Sequence, residues 1–102
     1  MSYRELELEV IRWAEDRKIV PRSTPMAQAI KTLEEVTELI GAIHKGDRAE
    51  MVDAYGDVLV TLIVGAALAD VDLVSCLESA YAEIKDRKGT LGEDGIFRKE
   101  AA

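Results

Sequence analysis

Apolar residues recur along this chain at three- and four-residue spacing, and nothing along it reads as a strand. That rhythm predicts an all-α protein of four helices joined by short turns. The first helix is expected over about 3–17. Ser2 and Glu5 stand at capping-box spacing, and Tyr3, Leu6, Val10 and Trp13 form its inner face. Ile19 to Ser23, which contains Pro21, reads as a loop. Thr24 caps a second helix over 25–44, with Pro25 at the first position, where a missing N–H costs nothing, and Gly46 as its stop. Ile30, Leu33 and Ile40 are its core side. Asp47 and Glu50 repeat the capping pattern and open a third helix over 48–69. A fourth runs over 72–88, with Val74, Leu77, Ala80, Tyr81 and Ile84 inward and Gly89 as its end. The tail, 89–102, is turn-rich around Asp94-Gly95, yet Ile96 and Phe97 suggest that it docks on something.

Two helices break the rule that buried faces are apolar. Each helical residue advances about 100°, so Glu35 and Glu38 lie side by side, as do Glu50, Asp53 and Asp57. The second stripe continues one turn at a time into Val60, Thr61, Val64 and Leu68, which a solvated face would not do. Carboxylates sharing a direction with buried valines are costly unless neutralised, and a divalent metal is the usual partner. Lys31 sits one turn before Glu35, placed either for a phosphate oxygen or for an i,i+4 ion pair. Glu34 points elsewhere and belongs to a solvated face. Di-iron chemistry is disfavoured, because its helical signature needs a Glu-x-x-His on each of two helices and His44 is the only histidine. The same shortage excludes a Ser-His-Asp or Cys-His set.

Composition narrows the class. At 102 residues, 48% hydrophobic and 32% charged, the chain suits one folded domain spanning 1–102. A net charge of −7 argues against nucleic acid and anionic membrane as partners. The uncharged run Val58–Ala69 has 12 residues, short of the roughly 20 a membrane span needs. A lone Cys76 and the lack of a signal-like N-terminus fit a cytoplasmic location. Tyr55, Leu59, Leu62 and Ala66 make the third helix apolar opposite its acids as well. A helix apolar all round must be surrounded, so the bundle is expected to be completed by another copy.

The ordered set Gln28-x-x-Lys31-x-x-Glu34-Glu35-x-x-Glu38-Leu39, then Asp53-x-x-Gly56-Asp57-Val58-Leu59-Val60, resembles the MazG-like all-α nucleotide pyrophosphohydrolases. Trp13-Ala14-Glu15-Asp16-Arg17 upstream fits the same pattern, as do Glu83 to Gly89 and the Asp94-Gly95-x-Phe97-x-Lys99 tail. The resemblance spans almost the whole chain and is nearest to the short single-domain members of phage and bacterial type. It implies a four-helix, bundle-like fold assembling as a homodimer or homotetramer. It further implies cleavage of a nucleoside triphosphate between its α and β phosphates, with Mg2+ as cofactor and Mn2+ as a possible substitute. Glu35 and Glu38 match the first acidic pair, with one of them orienting or deprotonating the attacking water, and Asp57 matches the aspartate of the second. Many relatives carry glutamate three residues before that aspartate, where this chain has Ala54 and, one position earlier, Asp53. Asp53 is taken as the fourth metal ligand, with Glu50 a candidate outer one. Lys31, Lys85 and Arg87 are candidates for the phosphates, although cations at a helix C-terminus also complement its dipole. Trp13 is a candidate wall for the base or a core residue. With no asparagine in the chain, Gln28 is the amide left to read a base edge. Two other readings stay open: a phosphoribosyl-ATP pyrophosphohydrolase of histidine biosynthesis, and a non-catalytic module whose acids bind metal for stability.

Overall fold

The computed structural model describes residues 1–100, which form five helices and one antiparallel hairpin. The helices are α1 (Tyr3–Asp16), α2 (Ile19–Arg22), α3 (Pro25–Lys45), α4 (Arg48–Leu68) and α5 (Leu73–Ile84). Their starts follow from side chains that satisfy free N–H groups in the first turn. Ser2 Oγ accepts from the Glu5 amide at 3.1 Å, and Thr24 Oγ1 from Ala27 at 3.0 Å. Asp47 Oδ1 accepts from Glu50 at 3.1 Å, and Asp72 Oδ2 from Ser75 at 3.3 Å. Gly46 ends α3 in the left-handed conformation (φ 70°), and the Asp47 amide then bonds back to the Ala42 carbonyl. The expected loop after α1 contains α2, a single irregular turn in which Val20 is extended and Lys18 is left-handed (φ 64°).

The C-terminal region departs from expectation. α5 stops at Ile84 and not near residue 88, and Gly89 opens a strand instead of closing a helix. Strands β1 (Gly89–Leu91) and β2 (Phe97–Lys99) pair antiparallel, Gly89 opposite Lys99 and Leu91 opposite Phe97. The turn between them is held by Asp94, whose carboxylate accepts from the Ile96 amide at 3.1 Å and from Arg98 Nη1 and Nη2 at 3.2 and 2.8 Å. A Cβ at residue 89 would collide with the Arg98 carbonyl oxygen and the Phe97 ring, so close packing across the strands requires glycine there.

α3 and α4, joined by a two-residue turn, lie side by side as the main layer, and α1 crosses α4. The core is made of small residues, Ala14, Ala42 and Ala54, with Ile63 and Val64. Small side chains let the helices approach closely. Thr61 is buried between them, its hydroxyl 2.7 Å from the Val58 carbonyl and 2.8 Å from the Thr32 hydroxyl of α3. The larger residues expected inside are not enclosed by one chain. On α1, Tyr3, Leu6 and Trp13 are about half exposed, and the buried positions are Glu7 and Ala14. Ile30, Leu33 and Ile40 of α3, Tyr55, Leu59 and Leu62 of α4, and Leu77, Tyr81 and Ile84 of α5 all face outward. A single chain thus leaves apolar stripes on three helices uncovered.

α5 is tied to α1 by a polar link. The Arg4 guanidinium donates to Glu7 Oε1 at 2.9 Å and to Asp72 Oδ1 at 2.8 Å. Hydrogen bonds from Arg4 and Ser75 hold the Asp72 carboxyl well below the ordinary carboxylate range. α4, with 21 residues, is by length and composition long enough to cross a membrane, longer than its uncharged run suggested. It nevertheless carries Asp53 and Asp57 and packs along α3, as the central helix of a bundle does.

Candidate active site

The acidic stripes of α3 and α4 meet near where α1 and α2 pack on α4, around a cavity of about 750 Å³. That volume suits a small-molecule ligand. α3 contributes Gln28, Lys31 and Glu35; α4 contributes Asp57, Thr61 and Val64. Trp13 and Arg17 come from the end of α1, and Lys18 and Arg22 from the turn that follows. A second cavity of about 410 Å³ adjoins it, lined by Glu38, Lys45, Glu50, Asp53, Ala54 and Asp57. Asp57 belongs to the wall of both.

Glu35 is 8% exposed although charged. Its Oε1 lies 3.6 Å from Lys31 Nζ, which makes a closer contact, 3.1 Å, with Glu34 Oε2. Glu35 Oε2 is buried and has no hydrogen-bond partner among the described residues. An unsatisfied buried carboxylate oxygen is held at a cost, which a cation would remove. Asp57 shows the same tension. Burial pushes its carboxyl above the ordinary range, the negative charges of Asp53 and Glu35 push it further, and Lys31 partly opposes them. Helix geometry set each stripe; the packing of α3 on α4 turned two stripes into one electrostatic unit.

The predicted residues divide between the two cavities. Glu35, Asp57, Lys31, Gln28 and Trp13 share the larger one, whereas Glu38, Asp53 and Glu50 line the smaller. Among the described residues no three histidine, cysteine, aspartate or glutamate side chains converge closely enough to hold one ion by themselves. Two carboxylates with water and substrate phosphates are nevertheless the usual surroundings of magnesium. Glu50 is drawn toward Lys45 at 3.4 Å. Ala54 is buried and lines the smaller cavity, so the missing glutamate leaves space there, while Asp53 is exposed. Gln28 donates to Ser23 Oγ at 3.1 Å, which fixes its amide at the rim.

Lys85 and Arg87 lie past the end of α5 and line neither cavity; Arg87 approaches Glu83 at 4.0 Å. The cations that do reach the larger cavity with Lys31 are Arg17, Lys18 and Arg22. Sequence reasoning assigned none of these three to the site. The available signal was three cations between Arg17 and Ser23 with no acid among them.

A buried, under-satisfied Glu35 and a half-buried Asp57 on facing helices, with cations around a ligand-sized cavity, mark the candidate site of an all-α protein. Residues 24–90 match the MazG nucleotide pyrophosphohydrolase domain, and the chain belongs to that family. It is similar to an uncharacterized 18.2 kDa protein from the rep-hol intergenic region of Haemophilus phage HP1, 36% identical over 70 residues. Those residues are 69% of this chain and 43% of the phage protein, so the chain spans under half of that relative's length. Among solved structures it resembles a cyanophage S-2L MazG-like pyrophosphohydrolase bound to dGDP and three catalytic Mn2+ ions per active site. The likeness has a TM-score of 0.78 at 26% identity and covers 100% of this chain and 96% of the cyanophage one.

Proposed function

We propose that this chain is a divalent-metal-dependent pyrophosphohydrolase that cleaves nucleoside or deoxynucleoside triphosphates to the monophosphate and pyrophosphate. The observation that carries the reading is the partnerless, buried Oε2 of Glu35 in the same cavity as Asp57, whose carboxyl is raised by desolvation and then by neighbouring negative charge. The cyanophage relative, which holds a nucleotide and Mn2+, supports the same kind of function.

Glu35 and Asp57 would hold the ion, with Glu38 and Asp53 completing its surroundings from the adjoining cavity. We take the ion to be Mg2+, with Mn2+ able to replace it. When bound, it supplies charge neutralisation and polarises the phosphoryl oxygens. The chain's own residues do the rest. Glu35 or Glu38 orients the attacking water and accepts its proton as the water oxygen bonds to the α-phosphorus. The bond from that phosphorus to the α–β bridging oxygen breaks, and pyrophosphate leaves with the bonding electrons. Lys31, held beside Glu35, offsets the charge of the polyphosphate. Trp13 supplies an apolar wall for the base and Gln28 a polar edge. The outward apolar stripes of α3, α4 and α5 are covered by further copies of the chain in a homodimer or homotetramer.

The test is release of pyrophosphate and orthophosphate from the eight common nucleoside triphosphates, with and without Mg2+, by wild type and Asp57→Asn. Metal-dependent pyrophosphate release, lost in a folded Asp57→Asn protein, is expected. Turnover of phosphoribosyl-ATP alone would move the reading to the histidine-pathway enzyme. No turnover of any substrate would leave a metal-stabilised binding module.

A further inference from the structure

We propose that the turn carrying Arg17, Lys18 and Arg22 is a polyphosphate-binding element that selects ligands by the number of their phosphates. The inference rests on the reading of the cavity as a nucleotide site and adds the groups that grip the tail. All three side chains line the larger cavity. None of them has an ion-pair partner among the described residues, whereas Arg4, Arg12, Lys31 and Arg98 are each paired. Arg48, Lys85, Lys88 and Lys99 are also without such partners among the described residues, but Arg17, Lys18 and Arg22 are the ones gathered on the wall of this cavity.

Their placement is built into the backbone. The Arg17 guanidinium lies over the Trp13 ring, 4.9 Å from its centroid, so an aromatic face and not a carboxylate positions it. Lys18 is left-handed (φ 64°), which turns the chain sharply at the end of α1. Arg22 closes the short turn that follows. The cavity then holds four cations, Lys31 included, against the two carboxylates Glu35 and Asp57. Its own acids therefore leave an excess of positive charge. That excess suits a ligand with several negative charges, and a monophosphate would leave part of it unmatched.

Binding to the full-length protein, measured by calorimetry in metal-free, low-salt buffer, tests the element apart from metal and turnover. The probes are inorganic tripolyphosphate, an α,β-methylene deoxynucleoside triphosphate and the matching monophosphate. Lys18→Asn keeps a residue that tolerates the left-handed backbone, and Arg22→Gln removes the second charge. Each single variant should weaken binding of the triphosphate and tripolyphosphate roughly five- to tenfold, with a smaller change for the monophosphate. Arg22→Lys should recover most of the loss, and added salt should shrink it. Unchanged tripolyphosphate affinity in both single variants, or equal losses for mono- and triphosphate, would overturn the proposal. If wild type hydrolyses nucleotides and the variants bind tripolyphosphate normally, only this inference falls. If wild type hydrolyses none but binds tripolyphosphate through Lys18 and Arg22, the polyphosphate element stands and the enzymatic reading falls.

Discussion

Replacing Glu35 with glutamine is expected to stabilise the metal-free protein and remove its response to divalent metal. Glu35 is 8% exposed and its Oε2 has no partner. Leaving such a group buried and unbonded costs about 1–3 kcal/mol, and more when it is charged. The compensating contact is weak: Lys31 is half exposed, lies 3.6 Å away and sits closer to Glu34. A long ion pair with one half-exposed partner contributes about 1 kcal/mol or less. Glutamine keeps the shape, lowers the burial cost and relieves the repulsion on Asp57. The net gain should be about 1 kcal/mol, which for a domain of this size raises Tm by about 4–8 °C. The wild type should gain about 1.4 kcal/mol more at an ion concentration ten times Kd, and the variant nearly nothing. Thermal denaturation followed by circular dichroism, at one fixed protein concentration, in EDTA and in Mg2+ or Mn2+, reads both effects. A variant that melts below wild type in EDTA would refute the argument that Glu35 is a strained, metal-directed group. Equal metal responses in the two proteins would refute it as well.

Other expectations follow from the same geometry. Because the Asp57 carboxyl is raised in the folded state, the fold binds its proton more tightly than the unfolded chain does. Metal-free stability should therefore fall as pH rises from the ordinary carboxylate range through the raised value, and Asp57→Asn should flatten that slope in urea titrations. Asp72 has the opposite sign: its lowered carboxyl gives stability that is present above the ordinary range and lost as pH falls below it. Arg4→Gln should return the Asp72 carboxyl toward its ordinary value in a carbon-detected NMR titration; an unmoved value would show that Arg4 is not its main partner. Trp13 is the only tryptophan and lines the larger cavity, so its fluorescence should change when nucleotide and metal bind. Emission indifferent to a nucleotide that calorimetry shows to bind would place the base elsewhere.

Much of the helical framework was legible because capping is a local matter. Ser2, Thr24-Pro25, Gly46, Asp47 and Asp72 act on amides or carbonyls within a few positions, and the structure starts or stops helices where they stand. The hairpin was not legible. Its strands have three residues each, too few for a visible alternation, and its need for Gly89 comes from Phe97 and Arg98 across the pairing. The inner faces assigned to α1, α3 and α5 were apolar as expected, but periodicity shows which residues share a face and not what covers it. One chain leaves Leu33, Tyr55, Leu77 and their neighbours outside.

The site divides the same way. Spacing alone aligned Glu35 with Glu38 and Asp53 with Asp57, because a helix repeats every 3.6 residues whatever surrounds it. Only the packing of α3 against α4 put Glu35 with Asp57 in one cavity and turned Glu38, Asp53 and Glu50 toward its neighbour. Only the turn after α1 brought Arg17, Lys18 and Arg22 over those acids. Charge and periodicity are properties of neighbouring residues; which charges face one another depends on contacts between segments far apart in the chain, and those exist only once the helices have packed.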